Sequence, residues 1–377
     1  MPFGTVSITP QARQWIDQIL DSKWVTKGKY VARFEEEFAR LFGAKFAVAM
    51  SSGTDADSLA LATLYDFGAV RGDEIIVPAL SFIATGNAVF QSGFEPVFVD
   101  VKRETLNIDP SKIEKAVTSK TKAIMPVHLM GKPADMDPIK VIAQRHKLFI
   151  IEDAAEAHGA EYKGRKIGTL GDMAAFSLYA AHIITTIEGG VVLTDNPAMA
   201  EALRSLRNHG MVEKFVFQRI GFSAKMNEIE AAVGLGNIEI FRTILERRRR
   251  NMRYLIEQFK AFEEFFFSIQ EESHEKLGPH AFPITLREGV PFTKDEFVDF
   301  IEEAGIDSRN LFYSIPTQCP GYAFLGYQLG DFPNAEYFGN NGCHIGVHQD
   351  LEIGDLDYVI GVVREFINKR IKSKKRG

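Results

Sequence analysis

The sequence predicts an α/β protein whose large domain holds a mostly parallel sheet sandwiched by helices. Two observations support this fold class. Short apolar runs that have the character of buried strands alternate with helical patterns through the first two-thirds of the chain, and such strands occur in parallel sheets with both faces covered. The remainder mixes a strand pattern with a helix pattern, so we predict a large domain at residues 1–240 and a smaller α+β C-terminal domain at 241–377.

The predicted elements follow one another in a regular order. Each predicted strand of the large domain is a short apolar run: 46–50, 74–78, 95–99, 123–127, 148–152, 173–179 and 190–194. Each predicted helix of this domain is amphipathic or apolar over a longer stretch: 12–20, 30–42, 56–65 and 227–262. In the small domain, 281–286 has the pattern of a strand and 294–304 that of a helix.

Composition excludes several classes of function. The 377 residues carry a formal charge of −6, which gives no indication of nucleic-acid binding, and the basic run 247–250 is predicted to be the solvated face of a helix. No apolar run is long enough to span a membrane. The N-terminus has no basic segment followed by an apolar one, and Cys319 and Cys343 are expected to be free thiols, so we expect a cytoplasmic protein.

Two local patterns point to a ligand site. Asp153 ends a predicted buried strand, which is where ligands bind in open α/β sheets, although a helix N-cap is the common alternative for such an aspartate. The residues 51–55, Ser-Ser-Gly-Thr-Asp, follow a strand and open a helix. Backbone N–H groups and the helix dipole at that place favour a phosphate, while an ordinary strand-to-helix connection is the alternative.

The segments 151–159 and 176–190 together resemble the DegT/DnrJ/StrS family of sugar aminotransferases, which depend on pyridoxal phosphate (PLP). The resemblance implies a fold-type I PLP enzyme. His182 stands where this family normally has the lysine that binds PLP as a Schiff base, and no lysine occurs from Ile167 to Glu213. An imidazole is not a primary amine, but it can move protons near neutral pH. The substitution indicates the sugar 3-dehydratase branch of the family.

The resemblance also assigns roles to individual residues. Asp153 would pair with the pyridine nitrogen of PLP and, with His182, carry the catalysis. Glu156 stands where the family often has a glutamine that contacts the ring hydroxyl. The remaining cofactor contacts implied for the same chain are Gly53, Thr54, Asp55 and Ser177 at the phosphate and Phe82 on the ring. Without the resemblance, a core phenylalanine and a small buried-strand residue explain Phe82 and Ser177 equally well.

The residues 221–228 resemble a family segment that reaches the phosphate of the neighbouring subunit. Ser223 and Lys225 replace the asparagine and arginine of that segment, and a homodimer with shared active sites is implied. His209 and His348 are candidates for the sugar pocket, as is His128, although a structural histidine is as good an interpretation of each. The histidines are too scattered for a metal-binding pattern, so no metal is expected.

The expected reaction is loss of the C3 hydroxyl from a nucleotide-linked 4-keto-6-deoxyhexose, in deoxysugar or O-antigen biosynthesis. PLP and its pyridoxamine form (PMP) would bind without a covalent bond, and glutamate would be the amino donor. A related branch carries an iron–sulfur cluster, which the chain's two cysteines do not readily hold, so none is expected. The alternatives are a sugar aminotransferase whose lysine has been replaced, and a non-catalytic regulator that binds PLP or a sugar nucleotide.

Overall fold

The computed structural model describes residues 1–374. A sheet of seven strands forms its centre: β1 Phe46–Met50, β2 Glu74–Pro78, β3 Glu95–Val99, β4 Thr121–Ile124, β5 Phe149–Asp153, β6 Met173–Ser177 and β7 Gly190–Thr194. The strand order is β1-β7-β6-β5-β4-β2-β3. Strands β2 to β6 pair in parallel, and β7 pairs antiparallel with β1 and β6. The prediction of a mostly parallel sheet is therefore confirmed.

Both faces of this sheet are buried because alternate side chains enter different cores. Ile75 and Val77 of β2 belong to one hydrophobic cluster, and Ile76 between them belongs to the other. The helices that cover the faces and the rest of the chain are α1 Pro10–Ser22, α2 Lys29–Phe42, α3 Gly53–Thr63, α4 Ile83–Gln91, α5 Pro110–Ala116, α6 Met136–His146, α7 Pro197–Leu206, α8 Glu228–Phe259, α9 Lys294–Glu303, α10 Ile315–Gln318, α11 Pro333–Asn341 and α12 Ile353–Lys374. Among residues 1–374, no helix is both long and apolar enough to cross a membrane.

A second, antiparallel sheet lies in the C-terminal part of the chain. Its strands are β8 Phe266–Phe267, β9 Ala281–Leu286, β10 Ser308–Asn310 and β11 Gly342–Gly346, in the order β8-β9-β11-β10. Shorter pairings join Glu161–Tyr162 with Arg165–Lys166 and Glu275–Lys276, and Met211–Glu213 with Val216–Phe217. The strand 281–286 is confirmed, and the helix predicted at 294–304 ends one residue earlier. The predicted division at residue 240 falls within the continuous helix α8 and stays a prediction.

Two predicted strands are longer than the observed ones. β4 ends at Ile124 rather than at 127, since Pro126 has no N–H to give to a neighbouring strand. β6 ends at Ser177 rather than at 179, because the chain turns there into a loop that the amide of Leu178 fastens to the carbonyl of Gly189 at 2.8 Å. Both departures place irregular backbone at the carboxyl edge of the sheet.

Helix α8 corrects the prediction for the basic run 247–250. Its first turn is fixed by a capping box between Asn227 and Glu230. Arg248 is only 1% exposed, so the predicted solvated face is wrong for this residue. The backbone at 181–182 and at 279–280 covers the face of the helix that carries Arg248.

Candidate active site

A cavity of about 630 Å³ opens at the carboxyl ends of β1, β5 and β6. The first turn of α3, the residues after β5 and β6, and the small antiparallel sheet all contribute to its wall. The predicted site residues that line it are Gly53, Thr54, Phe82, Asp153, Glu156, Ser177 and His182. The structure therefore brings together, in one cavity, residues that lie far apart in the sequence.

The start of α3 forms a compact anion-binding turn. Ser52 caps the helix, and its Oγ accepts the amide of Asp55 at 3.0 Å. Gly53 lies so close to Ser177 that a Cβ on the glycine would come within 2.6 Å of the Ser177 Cβ. The free N–H groups of this first turn and the Ser177 hydroxyl share the cavity wall, an arrangement that suits a phosphate.

Asp55 is placed differently from the prediction of a direct cofactor contact. It is not among the residues that line the cavity. Its carboxylate accepts the hydroxyls of Ser51 at 2.6 Å and Ser52 at 2.9 Å, so it braces the turn from behind. A carboxylate in the first turn of a helix is also favoured by the helix dipole.

Asp153 is a buried carboxylate that lacks a cationic partner within residues 1–374. The Thr85 hydroxyl donates to its Oδ2 at 2.7 Å, and the Ala155 amide donates to its Oδ1 at 3.2 Å. Burial raises the pKa of Asp153, and these two hydrogen bonds oppose the rise. A protonated pyridine nitrogen placed against it would supply the missing charge, so this residue fits the PLP ring.

Glu156 is held so that one oxygen remains free to face the cavity. The Met130 amide donates to its Oε2 at 2.7 Å, while its Oε1 lies 3.8 Å from Nε2 of His280. Burial raises the pKa of Glu156 to about 8, and the charge of Asp153 adds to the rise. The carboxyl therefore keeps its proton near neutral pH and can donate a hydrogen bond to a ring hydroxyl.

His182 lies in the loop after β6, with its amide bonded to the Tyr179 carbonyl at 2.9 Å. Its ring is near three other aromatic side chains, and that of His280 is the nearest, with ring centroids 4.7 Å apart. Burial, together with the charges of Arg248 and Arg309, lowers the pKa of His182 to about 3. The imidazole is therefore neutral at pH 7. No lysine is among the cavity-lining residues of the described chain.

Three predicted contacts lie elsewhere. Ser223 and His209 are exposed and adjacent, with Ser223 facing Asn208 in an isolated bridge and accepting a hydrogen bond from Lys225 at 3.1 Å. The predicted contact of Ser223 with the phosphate of a partner subunit stays a prediction, and His209, predicted for the sugar pocket, does not line the cavity of its own chain. His348 is buried after β11 and does not line the cavity, since its backbone is tied to Asn251 of α8.

His128 also has a structural environment. It is fully buried, its Nε2 lies 3.1 Å from the Glu152 carboxylate, and its Nδ1 accepts the Ala134 amide. Both ring nitrogens therefore have protein partners, as expected of a structural histidine.

Several cavity residues were missed by sequence reasoning. They are Asp57, His280, Arg309, Tyr313 and His344. Asp57 had a signal, because it is a charged residue inside an otherwise apolar helix. The histidines had none, since strand pairing across a long separation brings His344 opposite Pro283, three residues from His280.

This fold and cavity define a fold-type I enzyme that depends on PLP. The chain belongs to the DegT/DnrJ/EryC1/StrS aminotransferase family, whose family model matches residues 6–364. It is 37% identical over 361 residues to GDP-perosamine synthase of Caulobacter vibrioides, covering 94% of this chain and 95% of that protein. It is 34% identical over 358 residues to GDP-4-keto-6-deoxy-D-mannose 3-dehydratase of Yersinia pseudotuberculosis, covering 89% and 90%.

Solved structures agree with this assignment. GDP-4-keto-6-deoxymannose-3-dehydratase with a trapped PLP–glutamate geminal diamine has a TM-score of 0.88 and 29% identity, covering 96% of this chain and 99% of that one. A histidine-to-asparagine variant of this dehydratase with bound GDP-perosamine has a TM-score of 0.87 and 30% identity, with coverage of 96% and 99%. The relatives thus include both a sugar aminotransferase and sugar 3-dehydratases.

Proposed function

We propose that this protein removes the C3 hydroxyl from a nucleotide-linked 4-keto-6-deoxyhexose, with glutamate as amino donor. One observation carries the proposal: His182, which the resemblance places at the position of the family lysine, lines the cavity, and no lysine among residues 1–374 does so. Without a primary amine, the cofactor would be held by noncovalent contacts alone. A base without an amine can take a proton but cannot form the covalent link on which lysine-dependent members rely.

The cavity supplies the contacts that noncovalent binding needs. When bound, the cofactor ring accepts electrons from a carbon that loses a proton, which allows a neighbouring hydroxyl to leave. Asp153 would keep the ring nitrogen protonated, and Glu156 would share a hydrogen bond with the ring hydroxyl. The amides at Gly53 and Thr54 and the hydroxyl of Ser177, which line the cavity, would hold the phosphate. Phe82 is 56% exposed at the cavity wall, with its ring free to pack on a bound cofactor.

The neutral imidazole of His182 then takes a proton from C4′ of the cofactor as general base. The same residue can return this proton to the departing C3 oxygen. A lysine at this position would instead offer its proton to the sugar C4 and favour an amino sugar. General-base catalysis typically accelerates a reaction by about 10²–10⁴-fold, and this is the contribution expected of His182.

An exposed apolar surface supports a dimer with shared sites. Phe215 is 77% exposed and Ile220 88% exposed, next to the segment that carries Ser223 and Lys225. Apolar surface of this kind commonly marks a protein–protein contact. A two-fold partner seated on it would bring the partner's copies of Ser223, Lys225 and His209 towards the cavity described above.

The main alternative is an aminotransferase whose lysine has been replaced, favoured by the 37% identity to GDP-perosamine synthase. A non-catalytic regulator that binds PLP or a sugar nucleotide is the other. Turnover of nucleotide-linked 4-keto-6-deoxyhexoses with PLP and glutamate separates these functions, with the products identified by mass spectrometry. The proposal expects a 3-deoxy-4-keto sugar and released ammonia. An amino sugar would contradict it, and so would the absence of any product across gluco and manno substrates carrying GDP, dTDP or UDP.

A further inference from the structure

A row of three proton-carrying side chains lies along the wall of the cavity. His182 is at the cavity, His280 lies beside it with ring centroids 4.7 Å apart, and Glu156 follows with its Oε1 at 3.8 Å from Nε2 of His280. The three residues come from the loop after β6, from the residue before β9 and from the loop after β5. The proposed reaction assigns no role to His280.

Arg248 holds the two histidines side by side. Its guanidinium donates to the backbone carbonyls of Ala181 at 3.2 Å and His182 at 3.5 Å on one strand of chain. It also donates to those of Pro279 at 3.4 Å and His280 at 3.2 Å on the other. Because Arg248 is buried, these hydrogen bonds hold together the two backbone segments that carry the imidazoles.

The ring nitrogens indicate how the two histidines interact. Nδ1 of His182 and Nδ1 of His280 are both buried and lack a hydrogen-bond partner among residues 1–374. Leaving such a buried atom unpaired is unfavourable. One hydrogen bond between these two atoms would satisfy both, and active-site hydrogen bonds that are long in a ligand-free structure commonly tighten on binding.

We propose that Glu156, His280 and His182 form a hydrogen-bonded relay, in which His280 sets which nitrogen of His182 carries the proton. The inference rests on the proposed role of His182 as base. His280 is a positioning residue in this scheme, since it acts through His182. Within the described residues, no group of three or more His, Cys, Asp or Glu side chains is arranged to hold a metal ion, so the row is not a metal site.

The relay balances protons without forming an imidazolium. The relay can accept a proton in the form with Glu156 ionised, whose share rises as the pH approaches about 8. In this form His280 donates its Nε2 proton to Glu156, and its Nδ1 accepts the Nδ1 proton of His182, whose Nε2 is left as a lone pair towards the cavity. When Nε2 of His182 takes a proton from the cavity, the Nδ1 proton of His182 moves to Nδ1 of His280, and the Nε2 proton of His280 moves to Glu156. Glu156 is then neutral. The reverse shift delivers the proton to the leaving C3 hydroxyl, which departs as water.

The local electrostatics favour this route over a charged histidine. Burial lowers the pKa of both His182 and His280, and Arg248 and Arg309 lower both further. Burial raises the pKa of Glu156 to about 8, with Asp153 as the charged group that adds to it. A proton entering the row is therefore held more readily on Glu156 than on either ring.

Histidine nitrogen NMR on the full-length protein, with and without PMP, tests the relay. His182 is assigned from its missing signals in His182→Asn. Near pH 7 the wild type is expected to show His182 as the Nε2–H tautomer, and above the pKa of Glu156 as the Nδ1–H tautomer. His280→Phe keeps the ring packing but removes the nitrogens, so this preference and its pH dependence should be lost. His280→Asn, whose amide takes the place of Nδ1, should restore part of the preference.

Two further variants complete the test. Glu156→Gln cannot exchange a proton, so the His182 tautomer should no longer change with pH. His344→Phe, a buried cavity histidine without a ring contact to His182, should leave the tautomer as in the wild type. Nitrogen shifts of His182 that stay the same in His280→Phe and Glu156→Gln would overturn the relay.

The outcome for the relay is separable from that for the reaction. In the relay, kcat of His280→Phe falls by about 10–100-fold, as for lost orienting partners elsewhere, while KM changes little. Loss of the tautomer preference in a protein that makes an amino sugar would refute the proposed function and keep the relay. If the protein is an active dehydratase and the His182 tautomer is unchanged in the variants, the relay is refuted and the proposed function is kept.

Discussion

Gly53 and Ser177 approach so closely that a methyl group on the glycine would lie 2.6 Å from the Ser177 Cβ. This contact joins the first turn of α3 to the end of β6, and these are the two sides of the predicted phosphate site. Residue 53 must therefore lack a side chain for the helix start and the serine hydroxyl to face one anion.

Gly53→Ala is expected to weaken binding of PLP by tenfold or more while leaving the fold intact, because the new methyl must push the two sides of the site apart. Fluorescence or absorbance titration with PLP measures the effect. Gly354→Ala is the control, since a Cβ there meets nothing within 4 Å. Equal PLP affinity in Gly53→Ala and the wild type would show that the phosphate binds elsewhere.

The absence of a lysine from the described cavity wall predicts that no covalent bond forms between cofactor and chain. Borohydride reduces a Schiff base to a stable amine, so treatment of the PLP-loaded protein followed by intact-mass measurement is decisive. The wild type should keep its unmodified mass, and His182→Lys should gain one cofactor. A stoichiometric adduct on the wild type would contradict noncovalent binding.

Buried histidines make the fold sensitive to acid. Burial lowers the pKa of His344 to about 3, whereas an unfolded histidine has a pKa of about 6.5. Between these values only the unfolded chain binds the proton, so stability falls as pH drops from about 6.5 towards 3. Near pH 5 one such histidine contributes a slope of about 1.4 kcal/mol per pH unit.

Urea unfolding between pH 5 and 7 checks this contribution. His344→Phe should reduce the slope of the free energy of unfolding with pH by about that amount near pH 5, and by less towards pH 7, because it removes one titrating group. His274→Phe serves as the matched control, since His274 is exposed. Identical slopes for wild type and His344→Phe would show that His344 titrates normally in the folded protein.

A shared active site predicts complementation between two inactive variants. His182→Asn breaks the site of its own chain, and Lys225→Ala is expected to break the site of its partner. Mixed dimers then hold one intact site, so equal mixing should restore about a quarter of wild-type activity if subunits exchange freely. Light scattering checks the assembly. No recovery in verified mixed dimers would place Lys225 in its own chain's site or outside both.

Local sequence patterns predicted the parts of the site that lie next to one element. Asp153 follows a buried strand and Gly53 opens a helix, and neither placement depends on distant contacts. His280 and His344 enter the cavity only through the pairing of β9 with β11, a register that no local pattern encodes. The prediction for Arg248 was wrong for the same reason, because the periodicity of α8 does not reveal that the distant segments 181–182 and 279–280 cover it.

The most direct test of the account compares wild type with His182→Asn on the same 4-keto-6-deoxyhexose nucleotide, with PMP supplied. The asparagine keeps a polar side chain of similar reach, so cofactor affinity should hold, but an amide cannot act as a base. Loss of the C3 hydroxyl should slow by about 10²–10⁴-fold in the variant. Dehydration at the wild-type rate in His182→Asn would show that His182 is not the catalytic base.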